Sequence, residues 1–505
     1  MRLRHLSLAC LTLLVAACGR PALTGAAPKA EDAARVMAAA RSAGEAEVVS
    51  WNTPALAAND TGLEPTDVAA FDRNGDGKLD AAEQLGLYRA VWDEMGTLAR
   101  GGQTAPVAPP TGPADYHPPY NTAYTPTKAE IFFDAEEILP AVVQTLQSAQ
   151  RTIRMDLFML GGSQGQKLAE LLVAKAKAGV DVRILHDPGF GLAGEPHTQI
   201  IPVMRYLLDQ GIRVKPYPLQ DLPRRYGHPL ANATQIDHDK FLVVDEQVAM
   251  VGSMNLIDVG VMNHDAYFRL TGDVATELAA THDATWRLDG PALPDFGKAA
   301  PPAARYGVAE ASEGQARILK TDIDRQTTRQ GLLDAIAGSR KSVHVLIFEF
   351  GDPDVAAELV KAARRGVDVR VIADPNASYD KYFPAFKKVK LHGTPNLLTT
   401  NILREAGVPV KWYVAQAPHQ EMHMKAAVID HERVILGSTN FTYQAFHTFR
   451  ETSADVVSPA AAARWEDVFQ KDWEAHAKPV LKQTYLERVI TVAVKGFDKI
   501  NLSWW

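Results

Sequence analysis

Two stretches of this chain carry the same chemistry-bearing residues at the same spacing. His238-Asp239-Lys240 is followed after four residues by Asp245, and after six more by Gly252-Ser253-Met254-Asn255. His423-Met424-Lys425 is followed at identical intervals by Asp430 and Gly437-Ser438-Thr439-Asn440. Six fixed residues at about 5% each coincide by chance at fewer than about one in ten million positions, so a double occurrence is not accidental. Two lysines can neutralise a phosphodiester, and asparagine amides with nearby hydroxyls can hydrogen-bond its oxygens. One neutral imidazole can attack phosphorus while a second, protonated, gives its proton to the leaving oxygen. Histidine is the side chain poised for that division near neutral pH, and the two titrations are coupled. The pattern points to phosphodiester chemistry.

The segments around the two motifs repeat as well. Thr152-Ile153-Arg154-Met155-Asp156-Leu157-Phe158 parallels Ser342-Val343-His344-Val345-Leu346-Ile347-Phe348. Gly179-Val180-Asp181-Val182-Arg183 recurs as Gly366-Val367-Asp368-Val369-Arg370, and Asp187-Pro188 as Asp374-Pro375. Gly211 to Lys215 answers Gly407 to Lys411. Each half reads as helix, buried strand, helix, buried strand, helix, strand, then the His segment, with helices near 164–178 and 353–365 that stop at glycine. Short Val/Ile runs alternating with amphipathic helices predict an α/β sandwich with a parallel or mixed sheet. In an extended His-x-Lys the His and Lys share one face. Two halves packed about a pseudo-two-fold axis would bring both sets into one site.

From about Lys128 to Lys478 the chain resembles the phospholipase D superfamily, whose two HxK(x4)D(x6)GSxN motifs are intact here. The resemblance implies two tandem phospholipase D-like α/β sandwich lobes in one bilobed unit, with a metal-independent phosphohistidine mechanism. It implies His238 as nucleophile, His423 as general acid, Lys240 and Lys425 on the phosphate, Asn255 and Asn440 beside them, and Ser253 and Ser438 as phosphate-binding hydroxyls. An acidic residue after each GSxN orients an imidazole in this family. Glu451 fits the second half; Asp265 is the nearest equivalent in the first, shorter and one residue closer. The resemblance makes Asp245 and Asp430 structural, and His264 and His447 read as satisfied core or surface residues.

The N-terminus carries a different kind of signal. Arg2 and Arg4 precede an apolar run from Leu6 to Ala17 that is too short to span a bilayer as a mature helix. Leu14-Val15-Ala16-Ala17-Cys18-Gly19 resembles a bacterial lipobox, so residues 1–17 are read as a lipoprotein signal and Cys18 as the lipidated residue. Cys10 falls in the removed segment, which leaves no disulfide framework. A tether spans 18–50. Asp72-Arg73-Asn74-Gly75-Asp76-Gly77-Lys78-Leu79-Asp80-Ala81-Ala82-Glu83 resembles an EF-hand loop. The oxygens of Asp72, Asn74, Asp76 and Asp80, the Lys78 carbonyl and a bidentate Glu83 are its Ca2+ ligands. A small α-helical calcium-binding segment is therefore expected over 51–100, with no clear second loop. A Pro-rich linker over 101–125 leads to the lobes at 126–290 and 310–485, and a tail fills 486–505.

Net charge is −7, and loss of the two arginines in the first 17 residues takes it to −9. This balance, the absence of a continuous basic stripe and the lipobox favour lipid over nucleic acid. Arg224, Arg225 and the insert from Tyr379 to Lys390 would rim the cleft or form a solvated loop. Trp504-Trp505 is expected to pack on the lobe. The resulting expectation is a lipid-anchored, monomeric phospholipase D acting on membrane glycerophospholipids in the cell envelope, at the outer membrane or facing the periplasm, with Ca2+ only at the EF-hand loop. Transphosphatidylation is compatible with it. The alternatives are a cell-envelope endonuclease, a cardiolipin synthase-like phosphatidyltransferase (such synthases usually carry N-terminal transmembrane helices) and a calcium-dependent lipid-binding module.

Overall fold

The computed structural model describes residues 123–187, 209–216, 236–258, 260–286, 312–322, 325–375, 396–417, 420–447 and 449–484, with isolated positions outside these runs. The first half contains β1 (Thr125–Phe133), α1 (Asp134–Ser148), β2 (Thr152–Leu157), α2 (Gly162–Lys177), β3 (Asp181–His186), β4 (Arg213–Pro216), β5 (Lys240–Val244), β6 (Val248–Gly252), β7 (Ala266–Thr271) and α3 (Asp273–Trp286). The second repeats it as β8 (Ser312–Asp322), α4 (Thr327–Gly338), β9 (Ser342–Ile347), α5 (Pro353–Arg364), β10 (Asp368–Ala373), α6 (Leu397–Glu405), β11 (Val410–Tyr413), β12 (Lys425–Ile429), β13 (Arg433–Gly437), α7 (Tyr443–His447), β14 (Glu451–Val457), α8 (Pro459–Ala475) and β15 (Ala477–Pro479).

The sheet is mixed and runs through both halves in the order β4-β3-β2-β5-β6-β7-β1-β8-β14-β13-β12-β9-β10-β11-β15. Its outer strands β2-β3-β4 and β9-β10-β11 are parallel, as helical crossovers require. Towards the centre it is antiparallel. The strands β1 and β8 join the halves, Ser312 opposite Ala129 through Ala316 opposite Thr125. Neither strand is visible in the repeat, because the segments before α1 and α4 share no motif.

Period-two alternation sorts the core into layers. In β5, Leu242 and Val244 face a cluster closed by α1 and α2, while Phe241 and Val243 face a central cluster. In β12, Ala427 and Ile429 face the matching outer cluster, and Ala426 and Val428 the same central one. Both faces of each strand are thus buried, which explains their continuous apolar runs. Helix α5 shows how local sequence fixes these elements. The Asp352 side chain accepts from the N–H groups of Asp354 and Val355, Pro353 opens the first turn, and Gly366 at φ +90° ends it.

Among the described residues, no helix is long and apolar enough to cross a membrane. Of the N-terminal segment, Gly75 and two short strands are described, with Leu56–Ala57 pairing antiparallel to Lys78–Leu79. Cys18, Asp72, Asn74, Asp76, Asp80, Glu83, Arg224, Arg225, the 379–390 insert and Trp504-Trp505 lie outside the described residues.

Candidate active site

The fixed residues of each motif divide into those that hold backbone and those that face the cleft. Asp245 accepts the N–H groups of Gln150, Arg151 and Thr152 at 2.9, 2.8 and 2.8 Å, and Asp430 those of Arg340, Lys341 and Ser342 at 2.9, 2.6 and 3.1 Å. These aspartates tie the hairpin turn to the start of β2 or β9, and both are structural. Each turn places two non-glycine residues at positive φ, the type I′ geometry that matches strand twist. Gly252 and Gly437 are required by close approach: a Cβ at Gly437 would lie 2.2 Å from the Thr452 carbonyl oxygen, and one at Gly252 2.4 Å from that of Ala266.

His238 and His423 are brought together at the meeting of the halves. His238 N–H donates to the Arg450 carbonyl at 2.9 Å, and His423 N–H to the His264 carbonyl at 2.9 Å. Asp187 accepts Asp237 N–H, and Asp374 accepts Met422 N–H, each at 2.7 Å, fixing the residue before each histidine. Each ring packs on a phenylalanine, His238 on Phe158 at 4.7 Å and His423 on Phe348 at 4.9 Å between centroids. The same rings carry Lys240 Nζ at 5.0 Å and Lys425 Nζ at 4.9 Å.

The carboxylates are exchanged between the halves. Glu451, expected to orient the histidine of its own half, lies 2.9 Å from His238 Nδ1, and Asp265 lies 2.9 Å from His423 Nδ1. The reason is topological: β7 and β14 begin beside the partner half's His segment, as the Arg450–His238 and His264–His423 backbone bonds record. Asp265 therefore orients His423, not the first histidine. Burial holds the Glu451 carboxyl well above the usual range against the pull of Lys240, whereas, against its burial, His423 and Lys425 hold Asp265 below it. Where Nδ1–H donates to the carboxylate, the lone pair lies on Nε2, the nitrogen suited to attack phosphorus.

A second correction concerns the serines. Ser253 and Ser438 are buried and donate to Asp265 and Glu451 respectively, so they hold the orienting carboxylates rather than a phosphate. Asn440 Nδ2 donates to Glu349 Oε2 at 3.0 Å, which leaves its second N–H for a ligand. The amide oxygens of Asn255 and Asn440 are buried and have no hydrogen-bond partner among the described residues. His264 is a core residue, held between Asp134 and Asp472 at 2.7 and 2.8 Å. Burial opposes its charge, yet those two bonds push it up to about 10. His447 meets Gln326 at 3.0 Å and takes no part in the site.

Several site residues carried no motif signal. Glu349 breaks the two-fold, standing where the first half has Met159. Burial, with help from Asp374, raises it to about 7 although Lys425 opposes. The break in the repeat was its one sequence signal. Behind His238, Arg450 is fully buried among Asp156, Asp237, Asp239 and Asp322 at 2.7, 3.3, 3.3 and 3.4 Å. Lys320 pairs with Asp239 there as well.

The cleft is charge-crowded. Burial first, then the other cations, pushes His238 well below the usual imidazole range and His423 to about 4. Burial also lowers Lys240 to about 7 and Lys425 to about 8. An anion in the cleft relieves that crowding, so binding takes up protons. Sulfate, whose charge is constant there, is expected to bind most tightly below pH 7. Its affinity should fall about tenfold per pH unit for each lysine that discharges as pH rises through 8. A flat titration of sulfate affinity from pH 6 to 9 would show that the lysines stay charged throughout.

Comparison with known proteins identifies the family. A family model described as cardiolipin synthase, PLD-like domain, matches residues 142–286 and 332–473, more than half of the chain. A cardiolipin synthase of Geobacillus sp. (strain WCH70) is 24% identical over 385 residues, 73% of this chain and 70% of that protein. Cardiolipin synthase 2 of Bacillus anthracis is 25% identical over 364 residues, 69% of this chain and 65% of that protein. Among solved structures, the phosphatidylserine synthase of Haemophilus influenzae Rd KW20 superposes with a TM-score of 0.50 at 14% identity, covering 74% of this chain and 93% of that one. With the domain matched in both halves and its two histidines in one cleft, the chain belongs to the PLD-like domain family of the phospholipase D superfamily.

Proposed function

We propose that the protein is a phosphatidyltransferase of the cardiolipin synthase type, moving a phosphatidyl group from one phospholipid to an alcohol acceptor through a phosphohistidine. The observation that carries this reading is the pair of imidazoles, close enough to weigh on each other's charge and each facing through Nδ1 a buried carboxyl group of the other half. In the first step an imidazole Nε2 attacks phosphorus, the bond to the head-group oxygen breaks, and the other imidazolium supplies that oxygen with a proton. In the second step the acceptor hydroxyl attacks phosphorus, the P–N bond breaks, and the proton returns to the imidazole. Lys240 and Lys425 balance the phosphate charge in both steps.

The same chemistry with water as acceptor is the hydrolysis expected from the sequence. Transfer is favoured by the similarity to cardiolipin synthases.

Vesicles of phosphatidylglycerol incubated with purified protein are expected to yield cardiolipin and free glycerol. Phosphatidic acid as the main product would replace transfer by hydrolysis. Cleavage of DNA with no lipid product would replace both. Attachment through Cys18 and Ca2+ binding by Asp72, Asn74, Asp76, Lys78, Asp80 and Glu83 complete the proposal, and place the site at a membrane of the cell envelope. The loop is assigned no part in chemistry. Calcium titration calorimetry is expected to find one ion fewer on Glu83→Gln than on the wild type, with turnover unchanged, and equal calcium binding by both would overturn its assignment as the calcium site.

A further inference from the structure

On the face of the second half that α8 covers, His344, His431 and Glu466 converge from β9, the β12–β13 turn and α8. Glu466 Oε2 lies 2.7 Å from His344 Nδ1, and Oε1 2.9 Å from His431 Nδ1. The three ligand atoms fall within 4.8 Å of one another. We propose that this triad is a zinc-type divalent metal site, distinct from the phosphodiester cleft.

Three observations support it. The first is donor type, since two imidazoles and one carboxylate form a set that suits zinc, with the fourth position left to water. The second is orientation. His344 is buried and stacks on Phe469 at 4.6 Å between centroids, and its Nε2 faces Asp368 Oδ2 at 3.4 Å. A carboxylate on the far nitrogen of a ligating imidazole is the arrangement that fixes the tautomer and aims the other nitrogen at a metal. Arg370 holds that Asp368 in turn at 2.9 Å, so Glu466 remains the carboxylate free to ligate.

The third observation is the comparison between halves. At the position matching His344, the first half has Arg154, whose guanidinium meets Asp181 and Asp283 at 2.8 Å each. At the position matching His431 it has Glu246. The first half therefore places a permanent cation between strand and helix, where the second half offers two imidazole ligands instead. Little movement is needed to admit an ion. With metal bonds of about 2.0–2.1 Å, tetrahedral N···O separations are about 3.4 Å, so each contact opens by roughly 0.6 Å. His431 is half-exposed, which gives the ion a path in.

The test uses the full chain, stripped with EDTA and returned to excess calcium so that the N-terminal loop does not report. Titration calorimetry with Zn2+ is expected to find one more ion on the wild type than on His431→Ala or Glu466→Gln. Affinity at this site should fall on the order of 100-fold or more in either variant. Co2+ should give a visible absorption band in the wild type that is absent from both, and Zn2+ should raise the melting temperature of the wild type alone. Both substituted residues lie near the surface, so folded variants are expected. Equal zinc uptake and equal thermal shift in wild type and variants would overturn the proposal, as would absence of any thermal response in the wild type.

Discussion

Alanine at His238 is expected to reduce turnover on the order of 10^4-fold or more while leaving the fold intact, because the covalent path is lost and its positioning layer remains. His423→Ala should lose as much on a natural phospholipid. The two variants part company when the leaving group is changed. A nitrophenyl diester departs without a proton, so the variant lacking the general acid recovers most of its activity and the variant lacking the nucleophile does not. Recovery in His423→Ala alone assigns attack to His238, as the family resemblance implies, and recovery in His238→Ala alone reverses the roles. The exchanged carboxylates sharpen the test. Glu451→Gln removes the acceptor at His238 Nδ1 and Asp265→Asn that at His423, so each should reproduce, more mildly, the defect of the histidine it touches. A Glu451→Gln phenotype that tracked His423→Ala instead would mean that the carboxylates act within their own halves.

Much of this site was legible because it is duplicated. The His-x-Lys pairs, the capping aspartates and the buried strands all repeat, and a repeat marks what both halves must keep. Period-two alternation named the strand that carries each lysine. What the repeat could not show is which half a side chain serves. Asp265 and Glu451 sit at nearly equivalent sequence positions, and only the backbone pairing of Arg450 with His238 and of His264 with His423 sends each to the opposite histidine. Ser253 and Ser438 were misplaced for a related reason. Spacing puts a hydroxyl near the site but does not tell its cleft-facing side from its buried side. The asymmetric parts were harder to find: Glu349 shows only as a break in the repeat, and the joining strands β1 and β8 and the charges behind His238 have no counterpart motif to mark them.

Those charges lead to the largest expected loss of stability. The residue before each orienting carboxylate is a buried cation, His264 before Asp265 and Arg450 before Glu451. His264 satisfies two carboxylates, whereas Arg450 is packed against four, all fully buried. Replacing Arg450 by methionine keeps much of the volume but takes from those carboxylates the cation they share, leaving Lys320 on Asp239, a change expected to cost about 3–5 kcal/mol at pH 7. Acid should soften the loss. Burial already raises Asp156 well above the carboxylate range and raises Asp237 as well, against the pull of Arg450. A carboxyl group whose folded pKa lies above its unfolded value contributes stability at low pH that is lost as pH rises through the folded pKa. Without the guanidinium these groups hold protons to still higher pH, so the deficit should shrink as the medium is acidified towards pH 5. Urea unfolding of Arg450→Met and wild type at pH 5 and pH 7 measures both effects. A deficit below about 1 kcal/mol at pH 7, equal at both pH values, would mean that the carboxylates are neutral in the native protein and that Arg450 acts through its backbone alone, as the clamp on Ile236 and His238.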